Sequence, residues 1–302
     1  MEIRESIDRA LAKVPSRPGG IVKSNTAEVA KICSAAGVIF EIGAYNGFDL
    51  PEIHDCWPNA AIHCFEPDPD NFDRLREFES EFIVCNPIAL SNKSGTVPFF
   101  RVLDSKTDNQ SERDEWFKTA GSLRHNGPRH LGARPELREQ QIDVTCMTVD
   151  QYCAKSGVTP AVMLIDTQGS EFEILEGATG TLVHVTAIIL EWSTAPLYEG
   201  QKFLPEIERL LSKSGFVLEK QINLWENFHG DAIFVRHPTP GRRFIRKIRR
   251  QFQRLRVKMI GQNNTVKRPL SQMPSRIRGA YRRGGITGLI KVVYRKIFRR
   301  AP

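Results

Sequence analysis

Val38-Ile39-Phe40-Glu41-Ile42-Gly43-Ala44-Tyr45-Asn46-Gly47 runs a mostly apolar segment into a turn that carries two glycines spaced Gly-x-x-x-Gly. Nineteen residues past Gly47 comes a carboxylate, Glu66, in Cys64-Phe65-Glu66-Pro67. A strand that empties into a glycine turn lets the backbone approach a ligand closely, because no Cβ stands in the way. A second apolar run, Ala61 to Phe65, then delivers an acid at the spacing where a nucleoside ribose presents its hydroxyls. The dinucleotide pattern G-x-G-x-x-G is absent, which argues against a dehydrogenase. An acidic strand end repels phosphate and suits a cationic or zwitterionic nucleoside, such as S-adenosylmethionine with its sulfonium and α-amino group.

Outward from this segment, strand and helix signals alternate: strand 37–42, helix about 47–56, strand 61–66, helix about 69–79 and strand 82–85. After a hairpin-like element around 91–102 and a strand 142–146 the pattern resumes, with strands 162–166 and 185–190, a helix 203–213, and a final pair of strands at 216–222 and 231–236. Alternation of this kind predicts an α/β fold, a Rossmann-like, mostly parallel doubly wound sheet with helices on both faces. The last two strands have no helix between them, so the last strand is expected to run antiparallel. The expected organisation is an N-terminal helix and linker (1–20), a catalytic domain (21–236) with a polar insertion at 104–140, and a basic amphipathic helical tail (237–302).

The net charge of +8 conceals two opposite parts. Of the 43 Lys and Arg residues, 20 lie between His237 and Pro302, where no Asp or Glu occurs. The preceding 236 residues therefore carry 23 basic against 35 acidic side chains, a net of −12. Six cysteines without a C-x-x-C pair read as reduced thiols of a cytoplasmic protein. The charged N-terminus shows no secretory h-region, and no stretch is apolar enough to span a bilayer.

Six segments, in order, resemble the FkbM-type S-adenosylmethionine-dependent methyltransferases. They are Glu41 to Gly47, Phe65-Glu66-Pro67-Asp68-Pro69, Ala89-Leu90-Ser91-Asn92 with Gly95, Thr148 to Tyr152, Ile165 to Glu171, and Gly230 to Val235. The resemblance covers roughly 38–236 and implies methyl transfer, commonly to a hydroxyl of a sugar, glycan or polyketide-type natural product. Two departures stand in the first motif: the family usually has Asp at the place of Glu41 and Asn at the place of Tyr45, with Asn46 one residue later here.

The expected cofactor contacts are Glu41, Gly43, Ala44, Tyr45, Gly47, Glu66, Pro67, Ala89, Leu90 and Gln168. Asp166 ends a buried strand on the carboxyl side of the sheet, where ligands bind in such folds, and is the expected base. His125 is the second catalytic candidate. With His130, Arg124, Arg129, Arg134 and Arg138 in the insertion it suggests an anionic acceptor; His229 is a weaker third candidate. No zinc-ligand spacing is present, and no metal is expected.

In the tail, Phe244, Ile248, Phe252, Leu255 and Met259, then Ile286, Leu289, Ile290, Val293 and Ile297, recur at helical spacing among arginines and lysines. Apolar stripes inside a basic field suit an anionic membrane surface at 241–300, which would place the protein at the membrane inner face. Nucleic acid ranks behind that reading. The rival to an enzyme is a non-catalytic membrane- or nucleic-acid-binding protein that uses this tail.

Overall fold

The computed structural model describes residues 22–103, 121–127, 138–225 and 229–237. The N-terminal helix expected at 2–14, most of the insertion (including His130, Arg129 and Arg134) and the basic tail lie outside these residues.

The elements in chain order are α1 (Val22–Ile32), β1 (Val38–Ile42), α2 (Leu50–Cys56), β2 (Ala61–Phe65), α3 (Pro69–Leu75), β3 (Ile83–Asn86), β4 (Ala89–Leu90) and β5 (Gly95–Leu103). After the insertion come β6 (Arg138–Met147), α4 (Val149–Ser156), β7 (Val162–Ile165), α5 (Glu171–Glu176), β8 (Ala187–Ser193), α6 (Leu204–Lys213), β9 (Phe216–Trp225) and β10 (His229–Arg236). The seven-stranded main sheet has the order β3-β2-β1-β7-β8-β10-β9. Its first five strands are parallel, and β10 runs antiparallel to both β8 and β9.

Alternation of side chains along each strand feeds two separate cores. Phe40, Ile42, Met163, Ile165, Ile188 and Leu190 point to one face, where α4, α5 and α6 bury Val149, Ile174 and Leu211 on them. Ile39, Ile62, Val162, Leu164 and Ile189 point to the other, covered by Val29 of α1, Leu50 and Ile53 of α2 and Leu75 of α3. Burial on both faces is why these strands read as nearly unbroken apolar runs. Helix α1 was not evident from the sequence. Besides Val29, polar contacts tie it to the sheet, Asn25 Nδ2 donating to Asp231 at 2.6 Å and Glu28 pairing with Lys220.

The expected hairpin is corrected. β5 does not turn back on β4; both pair with β6, β4 in parallel and β5 antiparallel, in a separate three-stranded sheet. The insertion is thus the connection between β5 and β6. Arg101 of β5 fastens this small sheet to the main one, donating to both oxygens of Asp68 at 2.8 and 2.9 Å. Asp68 in turn caps α3 by accepting from the Asp70 N–H at 2.9 Å.

Strand order reverses between β1 and β7, each of which leads away from the other. At such a switch point the loops leaving the carboxyl ends diverge and open a crevice.

Candidate active site

The crevice is a cleft at the carboxyl ends of β1, β2 and β7. The turn after β1 forms one wall, through Gly43 and Tyr45, and Glu66, Pro67 and Asn71 follow from β2. Asp166, Thr167, Gln168 and Ser170 follow β7. The remaining wall is apolar: Ile88, Ala89 and Leu90 from the β3–β4 segment, Phe99 from β5 and Leu123 from the segment beyond it.

Glu66 is organised by its neighbours. It is 5 % exposed and accepts the backbone N–H of Tyr45 on Oε2 and that of Asp68 on Oε1, both at 2.9 Å. The Tyr45 N–H reaches it because Tyr45 adopts a left-handed backbone, φ +49°, uncommon for a residue with a bulky side chain. Burial pushes the Glu66 carboxyl up to about 8, with the nearby Asp68 charge adding to the shift and the N–H donors opposing it. Each oxygen retains acceptor capacity toward the cleft.

The glycine turn is built differently from its sequence reading. Gly43 lines the cleft, but at φ +85° a Cβ there would lie 1.9 Å from the carbonyl oxygen of Asp166. Its smallness seats the β1 turn against the end of β7. Gly47, at φ +83°, gives way to the ring of Phe78 and does not line the cleft. Ala44 is buried away from it, and its N–H bonds the Phe65 carbonyl at 3.1 Å. Glu41 points into the core on the α1–α3 face, accepts from the Cys64 thiol, and is held well above the carboxylate range by burial and then by the Asp49 charge. Of the ten expected cofactor contacts, Gly43, Tyr45, Glu66, Pro67, Ala89, Leu90 and Gln168 line the cleft; Glu41, Ala44 and Gly47 do not.

The two candidate bases part company. Asp166 lines the cleft, whereas His125 is 53 % exposed outside it, its ring 3.7 Å from that of Phe100 and its Nδ1 2.8 Å from Glu139. This placement leaves His125 without a geometric reason to move a proton in the cleft. Arg124 donates to the Glu199 carbonyl at 2.7 Å and to Glu173 at 2.5 Å, so its charge is already committed. Asp166 at the end of β7 and Glu191 of β8 share the Gln168 amide as donor.

Sequence reasoning missed Phe99, which reaches the cleft from β5, Leu123, which reaches it from within the insertion, and Ser170, whose hydroxyl is buried there with no partner among the described residues. Asn46, which stands in the first motif but was not among the expected contacts, is fully buried in the turn after β1, with no partner for either side-chain amide atom among the described residues. Unpaired buried amides are costly and rare, so a polar group arriving beside this turn would relieve a standing penalty.

An apolar slot, a buried carboxyl beside it and unsatisfied polar groups near the β1 turn fit an adenosyl group with an amino-acid end. Fold and cleft together define a Rossmann-like methyltransferase. The chain belongs to the FkbM methyltransferase family, whose domain model matches residues 41–218, and S-adenosylmethionine is its methyl donor. It is 28 % identical over 215 residues to the 2-O-methyltransferase NoeI of Sinorhizobium fredii, a match covering 67 % of this chain and 82 % of that one. It is 24 % identical over 179 residues to the hexuronic acid methyltransferase AglP of Haloferax volcanii, covering 56 % of this chain and 65 % of that one. Among solved structures, the N-terminal domain of EvdMO1 with SAH and D-fucose aligns at a TM-score of 0.41 and 10 % identity, over 78 % of this chain and 97 % of that one.

Proposed function

We propose that this methyltransferase acts on a sugar hydroxyl, in a glycan or a glycosylated natural product. The observation that carries the reading is the Asp166 carboxylate, at the cleft wall with Oδ1 bonded to Gln168 and no partner on Oδ2 among the described residues. The names of NoeI and AglP, a 2-O- and a hexuronic acid methyltransferase, support a sugar acceptor.

When bound, the cofactor supplies a methyl group on positively charged sulfur. Glu66 would hold the ribose hydroxyls, the slot of Ile88, Ala89, Leu90, Phe99 and Leu123 would take the adenine and exclude water, and Asn46 would turn toward the amino-acid end. Asp166 Oδ2 would receive the acceptor's proton. Most of the acceleration comes from holding the reactants together, for which effective molarities supply roughly 7–11 kcal/mol; a base adds about 10²- to 10⁴-fold.

The test is methyl transfer from labelled S-adenosylmethionine to a panel of p-nitrophenyl glycosides, read by mass spectrometry. Gain of one methyl on a sugar ring supports the proposal; transfer only to phenols or amines in a parallel panel would overturn it. From the charge pattern of 237–302 alone, we propose in addition that the chain works in the cytoplasm as a peripheral protein on an anionic membrane surface.

A further inference from the structure

Gln168 carries an uncommon combination of constraints. It is a non-glycine residue at φ +57°, in the left-handed region that a side chain with a Cβ disfavours. The surroundings hold it there from three sides. Ser122 Oγ donates to its carbonyl at 2.7 Å. The Glu171 carboxyl gathers the N–H groups of Thr167 and Gly169, each at 3.1 Å, and the Thr167 hydroxyl at 3.2 Å. Beside it, Gly169 at φ +97° leaves room for the Tyr198 ring, which a Cβ would meet at 2.8 Å.

The side chain is as constrained as the backbone. Its Nε2 donates to Asp166 Oδ1 at 2.7 Å and to Glu191 Oε2 at 3.3 Å, and its Oε1 accepts from the Tyr198 hydroxyl at 2.6 Å. Only one orientation of the amide satisfies all three, since a flip would set a carbonyl oxygen against two carboxylates. Tyr198 fixes that orientation because it is 1 % exposed, and burial followed by the nearby acidic charges holds its hydroxyl well above its ordinary range, so it stays a donor.

We propose that Gln168 is a positioning residue of the methyl-transfer site: with its amide oriented by Tyr198, it clamps Asp166 through Oδ1 and leaves Oδ2 to take the acceptor hydroxyl. This rests on the reading of Asp166 as the group that meets the acceptor. It gives Gln168 a role on the acceptor side, distinct from the cofactor contact expected from its motif. The clamp also explains why strain is retained at this residue: the left-handed backbone aims the side chain along the cleft wall toward Asp166. A side chain that can only accept, placed here, would repel the carboxylate it now holds.

The test uses the full chain labelled with [13C]aspartate, the Asp166 carboxyl resonance being assigned through Asp166→Asn. Gln168→Leu removes the amide, Gln168→Glu keeps its shape without the donors, and Tyr198→Phe removes only the group that orients it. Each is expected to move the Asp166 resonance. On whichever p-nitrophenyl glycoside the parent methylates, Gln168→Leu and Gln168→Glu are expected to lower kcat by about 10²-fold, the scale of a reacting group displaced by about 1 Å, with a smaller loss in Tyr198→Phe. Cofactor Kd, measured by calorimetry, should not change. An unmoved resonance in all three variants overturns the clamp, as does parental turnover in Gln168→Glu. Loss confined to cofactor Kd would assign Gln168 to the cofactor instead. If the parent methylates no glycoside, the sugar-acceptor reading fails while the resonance still decides the clamp.

Discussion

With Glu66 as the proposed ribose contact, cofactor binding would be a proton-linked event, and the effect can be worked out from its surroundings. The carboxyl is buried, already accepts two backbone N–H groups at 2.9 Å, and is raised to about 8. Ribose hydroxyls donating to it favour the ionised form. At pH 7 only about one molecule in ten has Glu66 ionised, and ionising the rest costs about 1.4 kcal/mol. Affinity should therefore rise about tenfold per pH unit from about 6 to 8 and level off above the pKa, with close to one proton released per ligand bound below it. S-adenosylmethionine is a poor probe because its own amine titrates near this range; 5′-methylthioadenosine keeps the nucleoside and has no such group. Calorimetry in buffers of different ionisation enthalpy reads both affinity and proton release. Glu66→Gln should abolish the pH dependence and weaken binding at high pH by roughly 1.5–3 kcal/mol, the range for a hydrogen bond to a charged group. Affinity that stays flat across this pH range in the parent chain, with no buffer-dependent heat, would refute the reasoning.

The same burial acts on the ligand-free fold. Glu66 at about 8 and Glu171 at about 7 hold protons that the unfolded chain gives up near 4.5, so the stability they contribute is complete below that value and is lost as pH rises through 7 and 8. The melting temperature should fall between about pH 5 and 8.5, and less so in Glu66→Gln; an equal slope in both would count against the assignment. Gly43→Ala should cost at least about 2 kcal/mol in urea unfolding, from a left-handed φ and a clash with the Asp166 carbonyl, and a shift below about 0.5 kcal/mol, as at an indifferent surface site, would show that the turn can yield. Asp166→Asn should fold normally, bind cofactor as the parent does, and lose about 10²- to 10⁴-fold in turnover; parental turnover would end its role as base. The full chain should sediment with phosphatidylserine vesicles in a salt-sensitive way and not with phosphatidylcholine ones, and retention on RNA without vesicle binding would reverse that reading.

The main sheet was legible because its strands are buried on both faces, so composition alone marks them, and the helices between them follow from alternation. The small sheet was not. β5 reads as half of a hairpin because Ser91-Asn92-Lys93-Ser94-Gly95 is a good turn sequence, yet the partner of β5 begins at Arg138, and nothing local announces a pairing that spans the insertion. Helix α1 escaped for a related reason. Its sequence carries only a weak apolar stripe, and tertiary contacts such as Asn25 with Asp231 lie more than two hundred residues away.

For the site, motif spacing located the walls and misjudged the reasons. Gly43 suggested open approach to a ligand, but the atom that excludes a Cβ belongs to the chain itself, the Asp166 carbonyl. Because Gly43 lets the β1 turn rest directly on the end of β7, the Asp166 N–H reaches the Ile42 carbonyl at 2.9 Å and the Gly43 N–H reaches Phe65 at 3.0 Å. The three strand ends that carry Tyr45, Glu66 and Asp166 are thereby fixed to one another by backbone. A glycine that serves packing thus sets the distance between the proposed ribose carboxyl and the proposed base. Gln168 stands in a motif the sequence shows, but Tyr198, which orients its amide, lies thirty positions further on and meets it only through side chains, which is why no spacing rule could have found that partner.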